Sequence, residues 1–312
     1  MRRLIQLVLG LVALAAFAGS AAGQVAAPLL NPTALMITTE NPAVLQWSTP
    51  SRITLGYFDG SNTNFNAAGV QTNVTDLSGG YVQARAVGES FAVGAERLQL
   101  DIKPQVGAAI DYVETQVAAA GQMGGMVALG VGQDKITQTP AGGVADSNTL
   151  GLGGASLRFW ERIYLGAALG TESLDLSPTS SVSRDVMRAG IGFHMRGADS
   201  GLHLEVTRET RAAYTVEVPP GVSVDRDEET LDGAHVEFIV ANILVGLASR
   251  QWKVRNPTAA TGWDEDNKIV VLGWVPAQGL AVVLRHETRE RTNTNNSTQD
   301  RVRDRVAIAW QF

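Results

Sequence analysis

No cysteine occurs in the 312 residues. The fold must therefore hold without disulfides, although the N-terminus marks the chain for export. Long hydrophobic runs are missing too. Beyond the N-terminal segment no stretch approaches the roughly 20 apolar residues that a spanning helix needs, and the mean hydropathy of +0.02 is too low for a helical membrane protein. Charge of one sign is scarce: the net charge is −6, charged residues make up 18%, and the basic residues are spread along the chain. Nothing in that distribution argues for nucleic acid as a partner. Aromatic residues are few at 6%, whereas glycine is abundant at 33 residues.

The first residues read "MRRLIQLVLGLVALAAFAGSAAGQ": two arginines, an apolar run, then small residues. That order is expected of a secretory signal peptide, cleaved after Ala22 or Gly23, because the run is short for a spanning helix and ends in a cleavage-like segment. The expected organisation is a signal peptide at 1–23, an N-terminal plug at 24–50 and a β-domain at 51–312.

From Ser51 onward the chain breaks into about fourteen alternating runs. They are Arg52–Phe58, Tyr81–Val87, Phe91–Leu100, Asp111–Ala120, Met126–Thr137, Thr149–Phe159, Arg162–Leu174, Val186–Arg196, Leu202–Arg211, His235–Ala241, Ile243–Val254, Lys268–Val275, Leu280–Arg289 and Arg301–Phe312; the limits within 101–137 are the least defined, and the count lies between 12 and 14. Most run for roughly 8–13 residues, the length of a tilted membrane-crossing strand. Their connections alternate. Long polar links such as "DGSNTNFNAAGVQTNVTDLSGG" and "VPPGVSVDRDEETLDG" are interleaved with tight ones such as "GES", "AN" and "PAQG". A soluble sandwich has no reason to alternate this way, whereas an outer-membrane barrel does. Period-two alternation alone also fits a half-solvated soluble sheet. The signal peptide, the turn alternation and the aromatics at the tight-turn end (Phe159, Trp160, Trp274, Trp310 and Phe312) favour the barrel, with those aromatics as an interfacial girdle. The expected fold is all-β: a transmembrane antiparallel β-barrel of about fourteen strands with a small N-terminal plug inside the lumen, set in outer-membrane lipid of a Gram-negative-type bacterium.

One face of the runs takes nearly all the charge. Arg188, His194, His203, Glu205, Glu209, His235, Glu237, Arg285, Glu287, Arg303 and Arg305 are expected to line the lumen. Arg188 is placed to pair with Glu209, and Glu287 with Arg303 or Arg305. Such pairs satisfy the interior, and they would also narrow it into a charged constriction. His194 and His203 flank a tight turn with Glu205 two residues on, a set that suits divalent ions; ordinary polar lining is the favoured reading, so no metal and no cofactor are expected. The histidines are followed by Met-Arg, Leu-Glu, Val-Glu and Glu-Thr, so no His-x-Ser stretch marks a hydrolase, and an enzyme is not expected. In the third run the apolar parity switches at Glu96 and Arg97, from Phe91, Val93 and Ala95 to Leu98 and Leu100. Either a bulge or kink sits there or the strand ends near Ala95.

Residues 24–50, "QVAAPLLNPTALMITTENPAVLQWSTP", are apolar and broken by Pro28, Pro32 and Pro42. Proline removes ladder donors, so this is no strand, and the lumen is the place for it to bury. The stretch "TTENPAVLQWSTPSRITLGYF" resembles the N-terminal plug of the FadL family of outer-membrane transporters, with its Asn-Pro-Ala motif at Asn41, Pro42 and Ala43. The resemblance implies a plugged fourteen-stranded barrel, a third strand kinked at Glu96–Arg97 that opens the wall sideways, and passive uptake of hydrophobic small molecules, with Leu35, Met36, Leu45 and Trp47 offering apolar contacts. The outer links are brief, and relatives with this plug also serve secretion apparatus. A plugged binding or assembly component and a general porin for polar solutes therefore remain the alternatives. Finally, "RVAIAWQF" places Trp310 and Phe312 in a strand-final position resembling the C-terminal signal read by the barrel-assembly machinery, with Arg301, Arg303 and Arg305 inward and the last strand closing against Arg52–Phe58.

Overall fold

In the computed structural model, fourteen antiparallel strands hydrogen-bond in a closed ring. The structure describes residues 41–47, 51–160, 162–177, 180–196, 200–218, 222–225, 227–256, 261–277 and 280–311. The barrel strands are β1 (Arg52–Phe65), β2 (Gln71–Val87), β3 (Phe91–Pro104), β4 (Ile110–Met123), β5 (Val127–Pro140), β6 (Asp146–Phe159), β7 (Ile163–Ser177), β8 (Ser180–Arg196), β9 (Ser200–Arg211), β12 (Glu228–Val240), β13 (Ile243–Arg255), β14 (Gly262–Ala277), β15 (Leu280–Asn293) and β16 (Thr298–Gln311). A separate hairpin, β10 (Thr215–Val218) and β11 (Val222–Asp225), fills the link between β9 and β12. The ring closes where β1 pairs with β16, Ile53 opposite Trp310 and Phe58 opposite Arg305. Closure leaves no sheet edge, which a lipid-embedded sheet requires.

All fourteen runs expected from the sequence are strands, but the links are not what their polar composition suggests. Most of "DGSNTNFNAAGVQTNVTDLSGG" is ladder, since β1 continues to Phe65 and β2 starts at Gln71, leaving five residues to turn. "DRDEET", which reads as a solvated loop, feeds directly into β12, and Glu229 within it faces the interior. The strands overshoot the membrane, and past the lipid both faces are polar, so apolar periodicity vanishes while hydrogen bonding continues. The tight turn between β4 and β5 is Gly124-Gly125-Met126, in which the two glycines take φ of 60° and 71°, left-handed values that glycine adopts without strain.

The direction of the two faces separates a membrane barrel from a soluble sheet. Ile53, Leu55, Tyr57, Leu129, Ile191 and Leu247 are exposed on the outside, whereas Glu172, Glu237, Arg285 and Glu287 are buried inside. A soluble sheet would reverse that assignment. The apolar outer band occupies the tight-turn half of the strands and then stops: Asp59 follows Tyr57 on β1, and on β9 Arg208 follows Val206 and pairs outward with Asp232 at 2.7 Å. At the tight-turn rim Trp160 is 82% exposed, Trp310 is also exposed, and Phe159 packs near Trp160. These belong to the girdle expected there; Phe312 lies outside the described residues. No helix among the described residues is long and apolar enough to cross a membrane.

The third strand requires a correction. β3 pairs with β2 from Ala92 to Pro104 and with β4 from Phe91 to Ile102 without a register shift. There is no bulge at Glu96–Arg97, and the strand does not end at Ala95. Glu96 points inward and is buried, and Arg97 points outward. The apparent switch arises because Leu98 and Leu100 occupy inward positions and pack with Phe58, Leu77 and Tyr81 inside the barrel. The parity of the strand is constant; what changes is the polarity of the lumen it faces.

Candidate functional site

The described part of the N-terminal plug is a 3-10 turn, Pro42–Trp47, lying inside the barrel against β3 to β7. Its sequence explains its shape. Asn41 caps the turn, its Oδ1 accepting from the Ala43 backbone N–H at 3.0 Å. Pro42 takes the first position, where its missing N–H costs nothing. The remaining side of the Asn41 amide docks the turn to the wall, Nδ2 donating to the carbonyl oxygens of Ala155 at 3.1 Å and Ala167 at 3.4 Å.

Three inward glycines of the wall make this approach possible. A Cβ on Gly154 would stand 2.2 Å from Asn41 Oδ1, on Gly166 2.6 Å from Asn41 Nδ2, and on Gly130 2.5 Å from the Ala43 backbone nitrogen. Any side chain at these positions would push the plug off the wall. Ala43 and Leu45 are fully buried, Leu45 among Ala92, Ala118 and Ala120. The Arg158 guanidinium lies 4.4 Å over the Trp47 ring. Asn41, Pro42, Ala43, Leu45 and Trp47 are thus brought together. Leu35 and Met36 lie outside the described residues. The glycine receptor and Arg158 were missed from sequence; glycines at inward positions of three neighbouring strands were the available signal.

Every expected lumen residue points inward. His286, the fourth histidine, points outward and meets Asp304 at 2.8 Å. Arg188 pairs with Glu209 at 2.7 Å, in direct register between β8 and β9. This pair belongs to a larger network that also holds Arg211 on Glu209 and Glu172, and Arg184 on Glu172 and Glu229. Glu287 does not pair with Arg303 or Arg305. Arg303 stands directly opposite it on β16, yet Glu287 is held along its own strand by Arg285 at 3.0 Å and by Arg289. Residues two apart on one strand share a face, and here they meet before the cross-strand partner does. Arg305 lies over the buried Phe58 ring, 4.9 Å from its centroid. Glu265 completes this second network with Arg289, Arg291 and Arg301. Glu172 lies in the expected run Arg162–Leu174, whereas Arg184, Glu229 and Glu265 lie outside the expected runs; inward parity identifies them once the strands are extended.

The lumen lining also holds apolar side chains, interleaved with buried polar and charged ones such as Arg52, Gln83, Arg85 and Glu96. Ile239, Leu244, Ile269, Val271, Ala281, Val283, Ala307 and Ala309, from β12 to β16, form one buried cluster with Phe58, Leu77, Tyr81, Leu98 and Leu100 of β1 to β3. An inward apolar wall of this extent is foreign to a water-filled pore, whose interior is polar. The plug stands across the lumen from it, on β3 to β7.

No protein-family model matches the sequence, and no curated protein does. Among solved structures the barrel is similar to the toluene transporter TodX of Pseudomonas putida, with a TM-score of 0.55, 10% identity, and coverage of 93% of this chain and 96% of that one. It is similar also to the monoaromatic hydrocarbon channel CymD, with a TM-score of 0.55, 10% identity, and coverage of 93% and 95%. A FadL homologue of Pseudomonas aeruginosa gives a TM-score of 0.57, 10% identity, and coverage of 91% and 94%. At such identity the likeness is one of fold: this chain has the barrel architecture of the FadL-type channels.

Proposed function

We propose that the chain is a passive outer-membrane channel for hydrophobic small molecules, gated by the plug around Asn41–Ala43. The observation that carries the reading is the apolar cluster inside the lumen, which includes Ile239, Val271, Phe58 and Leu98. Its members are already buried against one another, at most 9% exposed, and an apolar solute can replace those contacts at little cost where a polar one cannot. The solved channels of the same fold, described as carriers of toluene and monoaromatic hydrocarbons, support the same solute class. Passage runs down a concentration gradient and requires no cofactor and no bond chemistry. With β3 unbroken, the solute's way out is past the plug rather than sideways through that strand.

The test is uptake of toluene and of a long-chain fatty acid by cells lacking such a channel and expressing this chain. Val271→Asp should cut uptake roughly tenfold, the effect of about 1.4 kcal/mol on binding, with the barrel still assembled. Uptake no better than that of cells carrying empty vector would overturn the proposal. The close fit of the plug favours a second reading, a closed barrel that docks a partner. Deleting 24–50 separates the two: the channel then alters uptake or leaks ions in planar bilayers, whereas a docking component keeps its barrel and loses its partner. A general porin for polar solutes is served less well, because Arg184 and Arg211 are committed to Glu172 and Arg188 to Glu209.

A further inference from the structure

Two imidazoles and two carboxylates form a square on adjacent strands of the lumen wall. On β9 they are His203 and Glu205, and on β12 they are His235 and Glu237. The register sets His203 opposite Glu237 and Glu205 opposite His235, so each histidine has a carboxylate both beside it and across from it. Ligand atoms of His203, Glu205 and His235 all lie within 4.8 Å of one another, and Glu237, outside that close set, stands against His235. His203 Nε2 is 3.4 Å from Glu205 Oε2, and His235 Nε2 is 3.4 Å from Glu237 Oε2.

We propose that His203, Glu205, His235 and Glu237 bind a divalent transition-metal ion of the zinc class. The distances favour an ion over direct hydrogen bonds. A good N–H to O bond measures about 2.7–3.2 Å, while two ligands on a tetrahedral ion with bonds of roughly 2.0–2.2 Å stand about 3.3–3.6 Å apart. Both His–Glu separations fall in the second range. The groups also lack ordinary partners: both ring nitrogens of His235 and both oxygens of Glu237 are buried without a hydrogen bond, and Glu237 has no solvent exposure. Buried polar atoms that no protein group satisfies call for a ligand or a bridging species. This nitrogen–oxygen set suits zinc, copper, nickel or cobalt rather than calcium or magnesium.

Glycines on the neighbouring strands border the square. A Cβ on Gly192 would come 3.8 Å from the His203 ring, and one on Gly246 would come 3.7 Å from His235 Nε2. The rings of His194 and His203 lie 6.1 Å apart, which places a third imidazole next to the site on β8. The link joining β9 to β12 contains the β10–β11 hairpin and is the longest between strands that follow one another around the barrel. An ion here would staple them from within. The inference is independent of the hydrophobic-solute reading, because it is read on metal alone.

The test uses the full barrel in detergent, freed of metal with a chelator. Zinc titrated by calorimetry should bind once per barrel, and cobalt should develop the intense visible absorption of a tetrahedral site. His235→Gln and the isosteric Glu237→Gln should each weaken zinc binding beyond the roughly 10–100-fold that loss of an outer-shell partner costs. His286→Gln, on the outer face, should bind as the parent does. Heat-modifiable migration on gels checks that each variant is folded, and Glu237→Gln keeps the test decisive if His235→Gln fails to assemble. Zinc stoichiometry unchanged in both variants, as ions held on the outer loops would give, overturns the proposal. So does cobalt that keeps the pale spectrum of the hydrated ion.

Discussion

Asn41 shows how much one side chain can do. Its amide accepts from Ala43 and donates to two wall carbonyls, and three glycines clear the ground it stands on. The Asn-Pro-Ala motif was legible in the sequence, but its receptor was not: Gly130, Gly154 and Gly166 are far from Asn41 in the chain and look like any other barrel glycines. Gly154→Val should therefore act as a plug mutation. We expect raised conductance in planar bilayers with an unchanged amount of assembled barrel, because the new side chain would overlap the Asn41 amide while leaving the β6 ladder intact. Conductance equal to the parent's would show that the plug does not sit on this wall in the membrane.

At the level of the strand, β3 carries the clearest lesson. Alternation of polarity is a record of two environments, and it equals alternation of side-chain direction only where each environment is uniform along the strand. The lumen here is polar beside Glu96 and apolar beside Leu98, so a straight strand imitates a register slip. Leu98→Asp should thus cost roughly 2–4 kcal/mol by burying an unpaired carboxylate, while Arg97→Asp on the outer face should leave the urea midpoint nearly unchanged. Equal effects would mean that the strand does shift register at this point. The ion-pair network between β7, β8, β9 and β12 is the second element-level feature. Glu209→Gln takes a carboxylate from Arg188 and from Arg211, which keeps Glu172, and removing one member of a buried pair costs up to about 3–5 kcal/mol. The expected outcome is a lower unfolding temperature in detergent, recovered in part by Arg188→Met in the same chain.

The whole molecule is a ring, and a ring has a seam. β16 lies along β1 over its full length, with Arg301, Arg303 and Arg305 inside and Trp310 exposed outside. The last strand must find the first one during assembly, the slowest kind of contact to form. An aromatic strand end that recruits assembly machinery would supply that step, so Phe312→Asp should lower the fraction of heat-modifiable barrel in outer-membrane preparations. A fraction equal to the parent's would rule out the recruiting role.

Fold class and the identity of the charged face were determined by the sequence itself, and the strand number to within two. Each rests on local physics: a period of two, turn-forming residues and the absence of any spanning helix. Which wall the plug meets, whom Glu287 pairs with and what stands beside His203 were decided only by the tertiary structure. Those facts depend on the register between strands and on which wall faces which across the lumen. Register is a relation between distant segments, and no local pattern in His203 or Glu237 announces that closure of the barrel will set them face to face.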